Sequence, residues 1–275
     1  MLRIPTRQRG RVCGDSSPTF RPGRRCSPMS QTAPALPSVD KPLLSQSPVD
    51  IRPQDTDCSA LPALRFHHPT ELALRLHFDA PDRHRPDGTR SDCTRDDEGT
   101  VKAEPLPGQE CLLTVGADTY RLIDVHWHTP SEHTVGGVAF PMEQHMKYAR
   151  VVQDAGTAVG GVGEYAVIGV FVHPGQANDS LDRLLGSARR SEDSWEVPAV
   201  ELDALLPPCT ESYRYLGSTT VCPYTPGVRW ILLTHPVQAS AAALGHYREV
   251  FPKGNARAVQ PLGDRRITSD RHRWW

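Results

Sequence analysis

Histidines and carboxylates concentrate in the stretch from Tyr120 to Tyr148, YRLIDVHWHTPSEHTVGGVAFPMEQHMKY. His126 and His128 stand two apart in an apolar run that reads as a strand. Successive strand side chains alternate faces, so both imidazoles project to one side. A turn-rich segment follows, with Thr129-Pro130-Ser131 and then Gly136-Gly137. A second apolar run then carries Glu143 and His145, again two apart. Pairing of the two runs brings His145 to His126 and His128 across the ladder, at a separation of about 5 Å. Three neutral imidazoles without a fourth protein ligand form the donor set of a catalytic zinc site, which keeps one position for water. Ordinary strand histidines remain the plain alternative on spacing alone. Glu132 and Glu143 nearby add carboxylates of the kind that fix imidazole tautomers around metals.

The rest of the chain must build a frame for these groups. At 275 residues and 38% hydrophobic, it can bury one large core, and all-β or mixed sheets reach this size undivided. A net charge of −1 argues against nucleic acid or an anionic membrane as the main partner. No apolar run approaches the ~18–20 residues that span a bilayer. The 26 prolines and 21 glycines suit many short strands joined by turns. Residues 1–39 read as a disordered leader rich in Arg, Pro and Ser, with Asp15 the one acid before Asp40. They lack the apolar core of a secretory signal. An organelle transit peptide, or a start at Met29, are the alternatives. The expected domain covers 40–268, followed by a short tail, 269–275. Within it, Leu72, Leu74 and Leu76 alternate along a half-buried strand, and EYAVIGVFVHPG (164–175) reads as a buried central strand. A turn is expected at Gly116-Ala117-Asp118, and helices at DSLDRLLGSARR and at SAAALGHYREVF, the latter ending before Pro252.

YRLIDVHWHTPSEHTVGG and FPMEQH together resemble the metal-binding segment of the alpha-class carbonic anhydrases. There a Tyr-Arg-Leu strand, His-X-His, a Ser-Glu-His turn and Glu-X-His on the next strand follow in this order. QSPVDI (46–51), LPALRF (61–66), YRYLGSTTVCPYTPGVRWILL (213–233) and NARAVQPLGDRRI (255–267) resemble further family segments, the last of them its closing strand. The resemblance implies a mainly β (α+β) fold, with a large twisted, mostly antiparallel central sheet and a few short helices. It implies a zinc enzyme, a carbonate dehydratase, that hydrates CO₂ reversibly to bicarbonate and a proton. Zinc would be the cofactor, held by His126, His128 and His145, with zinc-bound hydroxide as nucleophile. In carbonic anhydrases the metal brings its water to a pKa of about 7, a property of that family and not a value obtained for this chain. By the same resemblance, Thr220 orients the hydroxide by accepting a hydrogen bond from it and donates its own hydroxyl hydrogen bond to Glu132. Glu143 holds His145, Asp124 holds His126 in place of the usual Gln, and His133 and Tyr215 join the same network. Val167, Thr219, Val228, Trp230 and Lys147 line the substrate pocket.

The chain also departs from the family pattern. Gap-free matching puts Pro81 where a proton-relaying His is usual, which leaves the relay unassigned, with His77 and His84 as candidates. Residues 82–104 read as a longer loop. Thr219 replaces Leu, Val221 a Thr, Cys222 a Pro, and Lys147 a small apolar wall residue. Pointing inward, Lys147 would attract bicarbonate and other anions; otherwise its ammonium extends to solvent. The usual second Cys of an extracellular family bridge is Tyr224, so no such bridge is expected among the 7 cysteines, although a Cys209–Cys222 pair stays open. That points to a reducing compartment, the cytoplasm, with an organelle as the alternative. The expected partner is the small-molecule substrate, with no nucleic acid and no membrane; the oligomeric state is not readable. Two other readings compete. One is a non-catalytic or weakly active binding protein of the same fold. The other is a cupin-type iron enzyme, since His126, His128 and Glu132 fit a His-X-His-X₃-Glu spacing.

Overall fold

The structure is a computed structural model that describes residues 45–81, 98–151 and 163–270. The Arg-rich leader, His84 and Trp274–Trp275 lie outside the described residues. The first strands are β1 (Asp50–Ile51), β2 (Asp57–Cys58), β3 (Leu64–His67), β4 (Leu72–Asp79), β5 (Thr100–Pro105), β6 (Leu112–Val115) and β7 (Asp118–His128). Then come β8 (Thr134–Val135), β9 (Val138–Ala139), β10 (Met142–Arg150), β11 (Tyr165–Pro174), helix α1 (Asp179–Gly186) and β12 (Trp195–Val200). β13 (Ser212–Ser218), β14 (Pro226–Ala239), helix α2 (Ala241–Val250) and β15 (Thr268–Ser269) complete the order.

One large sheet runs β12-β4-β5-β7-β10-β11-β14-β13-β15-β2, with β3 and β6 paired beside β7. Its pairings are antiparallel except β11–β14 and β15–β2. The expected large, mostly antiparallel sheet with short helices is therefore present. Leu72, Leu74 and Leu76 are buried while Arg75 between them is exposed, as the alternation requires. β11 is buried on both faces. Ile168, Val170 and Val172 join the main core under α1 and α2, whereas Val167 and Phe171 join a second cluster with Val49, Ile51, Tyr215 and Trp230. A strand covered on both sides must be apolar at every position, which is why it lacks alternation. Asn178 accepts a hydrogen bond from Leu181 N–H at the start of α1, and Ser240 accepts one from Ala243 N–H at the start of α2.

Two expected strands differ in extent. QSPVDI pairs only at Asp50–Ile51, alongside β8, because Pro48 has no N–H to give a ladder. No strand forms in 255–267; β15 begins at Thr268. The backbone there serves other partners: Asn255 N–H donates to Thr129 O at 3.0 Å and Gln260 N–H to Pro48 O at 2.8 Å. The expected reduced state is also corrected. Cys58, Cys209 and Cys222 are disulfide-bonded, and Cys111 is a buried free thiol. Sequence spacing could not reveal this, since the fold and not the spacing decides which cysteines meet.

Gly217 lies at the β13 irregularity where the chain turns toward the site. A Cβ there would collide with Ser47 Oγ and lie 2.8 Å from the Tyr215 ring. Gly217→Ala is expected to cost about 1–3 kcal/mol of stability by overpacking, read as a lower urea midpoint at unchanged slope.

Candidate metal centre

β7 and β10 pair antiparallel, with His126 opposite His145, His128 opposite Glu143 and Asp124 opposite Lys147. Directly opposed residues share a face. One face therefore carries Asp124, His126, His128, Glu143, His145 and Lys147. Val125, Trp127 and Met146 on the other face are fully buried in the main core. That anchoring fixes which way the histidines point.

Each imidazole is committed through one nitrogen. His126 Nδ1 donates to Asp124 Oδ1 at 2.5 Å, His128 Nδ1 to the Asn255 carbonyl at 2.9 Å, and His145 Nε2 to Glu143 Oε1 at 2.8 Å. The acceptors carry no proton of their own, so these nitrogens hold the hydrogens. The remaining nitrogens, His126 Nε2, His128 Nε2 and His145 Nδ1, are bare lone pairs. They lie within 4.8 Å of one another as a group, and two of them are 3.3 Å apart. His128 Nε2 is buried without a hydrogen-bond partner among the described residues. Converging lone pairs repel unless a cation sits between them. Four-coordinate zinc, with Zn–N bonds of ~2.0–2.1 Å, has ligand-to-ligand edges of about 3.3 Å. The donor set and its spacing fit zinc.

The electrostatics favour the metal-ready state. Burial pulls His126 down to about 4, despite the opposing Asp124 carboxylate, and burial likewise lowers His128. Both are neutral at physiological pH, the form a metal needs. Burial alone would raise Glu143, but His133 and His145 outweigh it and hold its carboxyl well below the usual range. Asp124 is likewise low: burial is outweighed by His126, Lys102 and Lys147.

Behind the triad lies a hydrogen-bonded network. Glu143 Oε1 accepts from His133 Nδ1 at 2.7 Å as well as from His145. Its Oε2 accepts the backbone N–H groups of Glu132 at 3.0 Å and His133 at 2.8 Å. With Nδ1 protonated, His133 Nε2 must accept, so the Tyr215 hydroxyl donates to it at 2.6 Å. Tyr215 in turn accepts from Ser47 Oγ at 2.8 Å. Glu132 is 2% exposed; its Oε1 accepts Arg257 N–H at 2.9 Å, and its Oε2 is buried without a partner. Thr220 is buried, but among the described residues no hydrogen bond joins it to Glu132.

Of the residues expected to line the pocket, Lys147, Val167, Val228 and Trp230 share one sheet face. Lys147 lies opposite Val167, and Val167 opposite Trp230 on β14. The Trp230 ring centroid is 4.9 Å from that of His145, and Val228 is fully buried beside it on β14. Thr219 spends its hydroxyl on Val221 O within its own loop, at 3.1 Å. His77 faces Lys102, and Lys102 faces His126. His77 is thus on the metal face, two strands or about 10 Å away along the sheet. Sequence reasoning assigned no role to Asn255, Arg257 or Ser47. Asn255 and Arg257 reach His128 and Glu132 through main-chain atoms, while the Asn255 side chain accepts from Thr129 N–H at 2.8 Å; NARAVQPL was their one visible trace.

Residues 42–271 match the family model described as eukaryotic-type carbonic anhydrase. A carbonic anhydrase from Pectobacterium carotovorum is 33% identical over 172 residues, 61% of this chain and 65% of the relative. The chain thus spans just under two thirds of that relative's length. The mitochondrial carbonic anhydrase 5A of Homo sapiens is 32% identical over 169 residues, 54% of this chain and 55% of the relative. Among solved structures, the alpha-carbonic anhydrase of Photobacterium profundum superposes with a TM-score of 0.65 at 30% identity, covering 82% of this chain and 89% of its own. That of Thermovibrio ammonificans, solved with the inhibitor sulfanilamide, gives 0.65 at 27% identity, covering 82% and 86%. A match of this extent, over a sheet that aims three histidines at one point, means that the chain belongs to the eukaryotic-type, or alpha, carbonic anhydrase family.

Proposed function

We propose that this chain is a zinc-dependent carbonate dehydratase that interconverts CO₂ and bicarbonate. The observation that carries the reading is the convergence of three bare imidazole lone pairs, with no fourth protein donor in the group among the described residues. A zinc ion held there supplies a water that ionises near neutral pH, for which carbonic anhydrases are the standing example. Asp124, Asn255 and Glu143 keep each ring in the tautomer that presents its lone pair, and raise ligand basicity. Glu132 Oε2, buried and unpartnered, is the acceptor for the Thr220 hydroxyl proton. With its hydrogen so placed, Thr220 Oγ1 would accept a hydrogen bond from the attacking oxygen, which turns that oxygen's lone pair toward carbon. Val167, Val228 and Trp230 form an apolar wall suited to CO₂. His77, two strands away on the metal face, is the candidate to carry the released proton outward.

Among the described residues no helix is long and apolar enough to cross a membrane. The disulfide-bonded cysteines favour an oxidising compartment over the cytoplasmic placement expected from the sequence.

Stopped-flow CO₂ hydration by the zinc-loaded chain tests the reading. Thr220→Val is expected to lower kcat/KM about 100-fold at unchanged zinc content, the scale of a lost orienting contact. A zinc-replete chain without CO₂ hydration would instead mark a binding protein of this fold.

A further inference from the structure

Thr220 sits in the segment between β13 and β14, and one arginine reaches both that segment and Glu132. The segment is pinned at its start. Ser218 N–H donates to Ser47 Oγ at 3.1 Å, Ser47 N–H donates to Ser218 Oγ at 3.0 Å, and Trp230 Nε1 donates to Ser218 O at 2.8 Å. It then turns back on itself, through Thr219 N–H on Thr225 O at 2.9 Å and Tyr224 N–H on Val221 O at 2.8 Å. Cys222, in the same turn, is disulfide-bonded. Tyr224 closes the turn at φ +60°. A tyrosine holds that left-handed conformation only where its surroundings fix it.

Gln46 and Arg257 supply that fixing. Gln46 Nε2 donates to the Tyr224 carbonyl at 3.2 Å. The guanidinium carbon of Arg257 lies 3.5 Å from the centroid of the Tyr224 ring, a cation–π contact, and its Nη1 donates to Ser47 O at 2.5 Å. Both residues are half-buried, so the contact is partly withdrawn from solvent. The main-chain N–H of the same arginine donates to Glu132 Oε1 at 2.9 Å. Arg257 thus grips Glu132 by its backbone and the Thr220 segment by its side chain.

We propose that Arg257, stacked on Tyr224, is a positioning residue that sets the Thr220 segment against Glu132, a role that rests on the proposed function and extends it. Glu132 Oε2 is buried without a partner, beside the Oε1 that Arg257 holds. A hydroxyl serves that oxygen only from hydrogen-bond distance, and a misplacement of about 1 Å is enough to cost most of an orientation effect. Two separate stretches of chain must therefore be held at one spacing. Arg257 is the residue that touches both, and Tyr224 is the surface through which its side chain acts.

The test pairs amide hydrogen exchange, read by NMR on the zinc-loaded full chain with its disulfides intact, with stopped-flow CO₂ hydration. Tyr224→Leu is expected to speed exchange of the Thr219 amide about tenfold, the scale of one cation–π contact. It should also lower kcat/KM about tenfold at equal zinc content. Tyr224→Phe keeps the ring and must restore both to within about twofold. Arg257→Met leaves the main-chain N–H on Glu132 and must act as Tyr224→Leu does; it also serves if the leucine variant folds poorly. In a Thr220→Val background, Tyr224→Leu should cost less than about twofold in kcat/KM, because the contact it disturbs is already gone. Unchanged Thr219 exchange in both Tyr224→Leu and Arg257→Met overturns the clamp. Faster exchange at unchanged kcat/KM, or an equal loss with and without the Thr220 hydroxyl, overturns the positioning role. If the zinc-loaded wild type hydrates no CO₂, the proposed function falls, and the exchange rates alone decide whether Arg257 holds the Thr220 segment.

Discussion

His145→Ala is expected to lose both zinc and CO₂ hydration. Zinc should fall from about one ion per chain to less than a tenth after dialysis against micromolar zinc, and kcat/KM by about 1000-fold or more. The cause is local. His145 supplies one of three nitrogens in a group with no fourth protein donor among the described residues. Its removal leaves two ligands, too few to hold the ion against water. It also leaves Glu143 Oε1 with one donor fewer, while His133 still holds that oxygen at 2.7 Å. The fold should therefore survive, as circular dichroism would record. Zinc retention at wild-type level in His145→Ala would rule out the ligand assignment.

Glu143→Ala is expected to produce the largest loss of stability. The carboxylate is fully buried and accepts four hydrogen bonds, two from imidazoles and two from backbone amides. Alanine leaves those donors buried without acceptors, a loss of about 3–5 kcal/mol. For a domain of this size that lowers Tm by about 10 °C. Zinc affinity should also fall, by about 10–100-fold, because His145 loses the acceptor that sets its tautomer.

The same residue gives the fold a signed pH dependence. His133 and His145 hold its folded-state carboxyl well below the ordinary value, against burial. A depressed carboxyl contributes stability that is fully present above the unfolded pKa of about 4.3 and lost as pH falls through the folded pKa. Glu143→Gln should therefore show a shallower fall in stability from pH 5 downward than wild type, measured in the zinc-free protein by urea titration. Parallel pH profiles for the two would contradict the role given to this carboxylate.

Side-chain periodicity made part of this molecule legible beforehand. The placement of His126, His128 and His145 on one face follows from a two-residue repeat, and the register of β7 on β10 delivers it. Leu72, Leu74 and Leu76 declared their face in the same way. The segments DSLDRLLGSARR and SAAALGHYREVF announced the two helices, whose caps, Asn178 and Ser240, the structure supplies. What stayed hidden was carried by the main chain or by distant pairing. The acceptor for His128 is the carbonyl of Asn255, and the donor to Glu132 is the amide of Arg257, 125 residues on. Backbone atoms have no sequence signature. The segment 255–267 looked like a strand, yet its N–H groups serve residues of other segments. The disulfide-bonded state of Cys58, Cys209 and Cys222 depends on tertiary proximity, which spacing does not encode. The direction of Lys147 was open until Tyr165 was placed beneath it.

X-ray absorption at the zinc edge of the metal-loaded chain tests the centre most directly. Three imidazole nitrogens and one light oxygen donor at about 2.0 Å are expected, and no such zinc signal from His145→Ala, which does not retain the ion. A sulfur donor, or a spectrum unchanged by that substitution, would contradict the account.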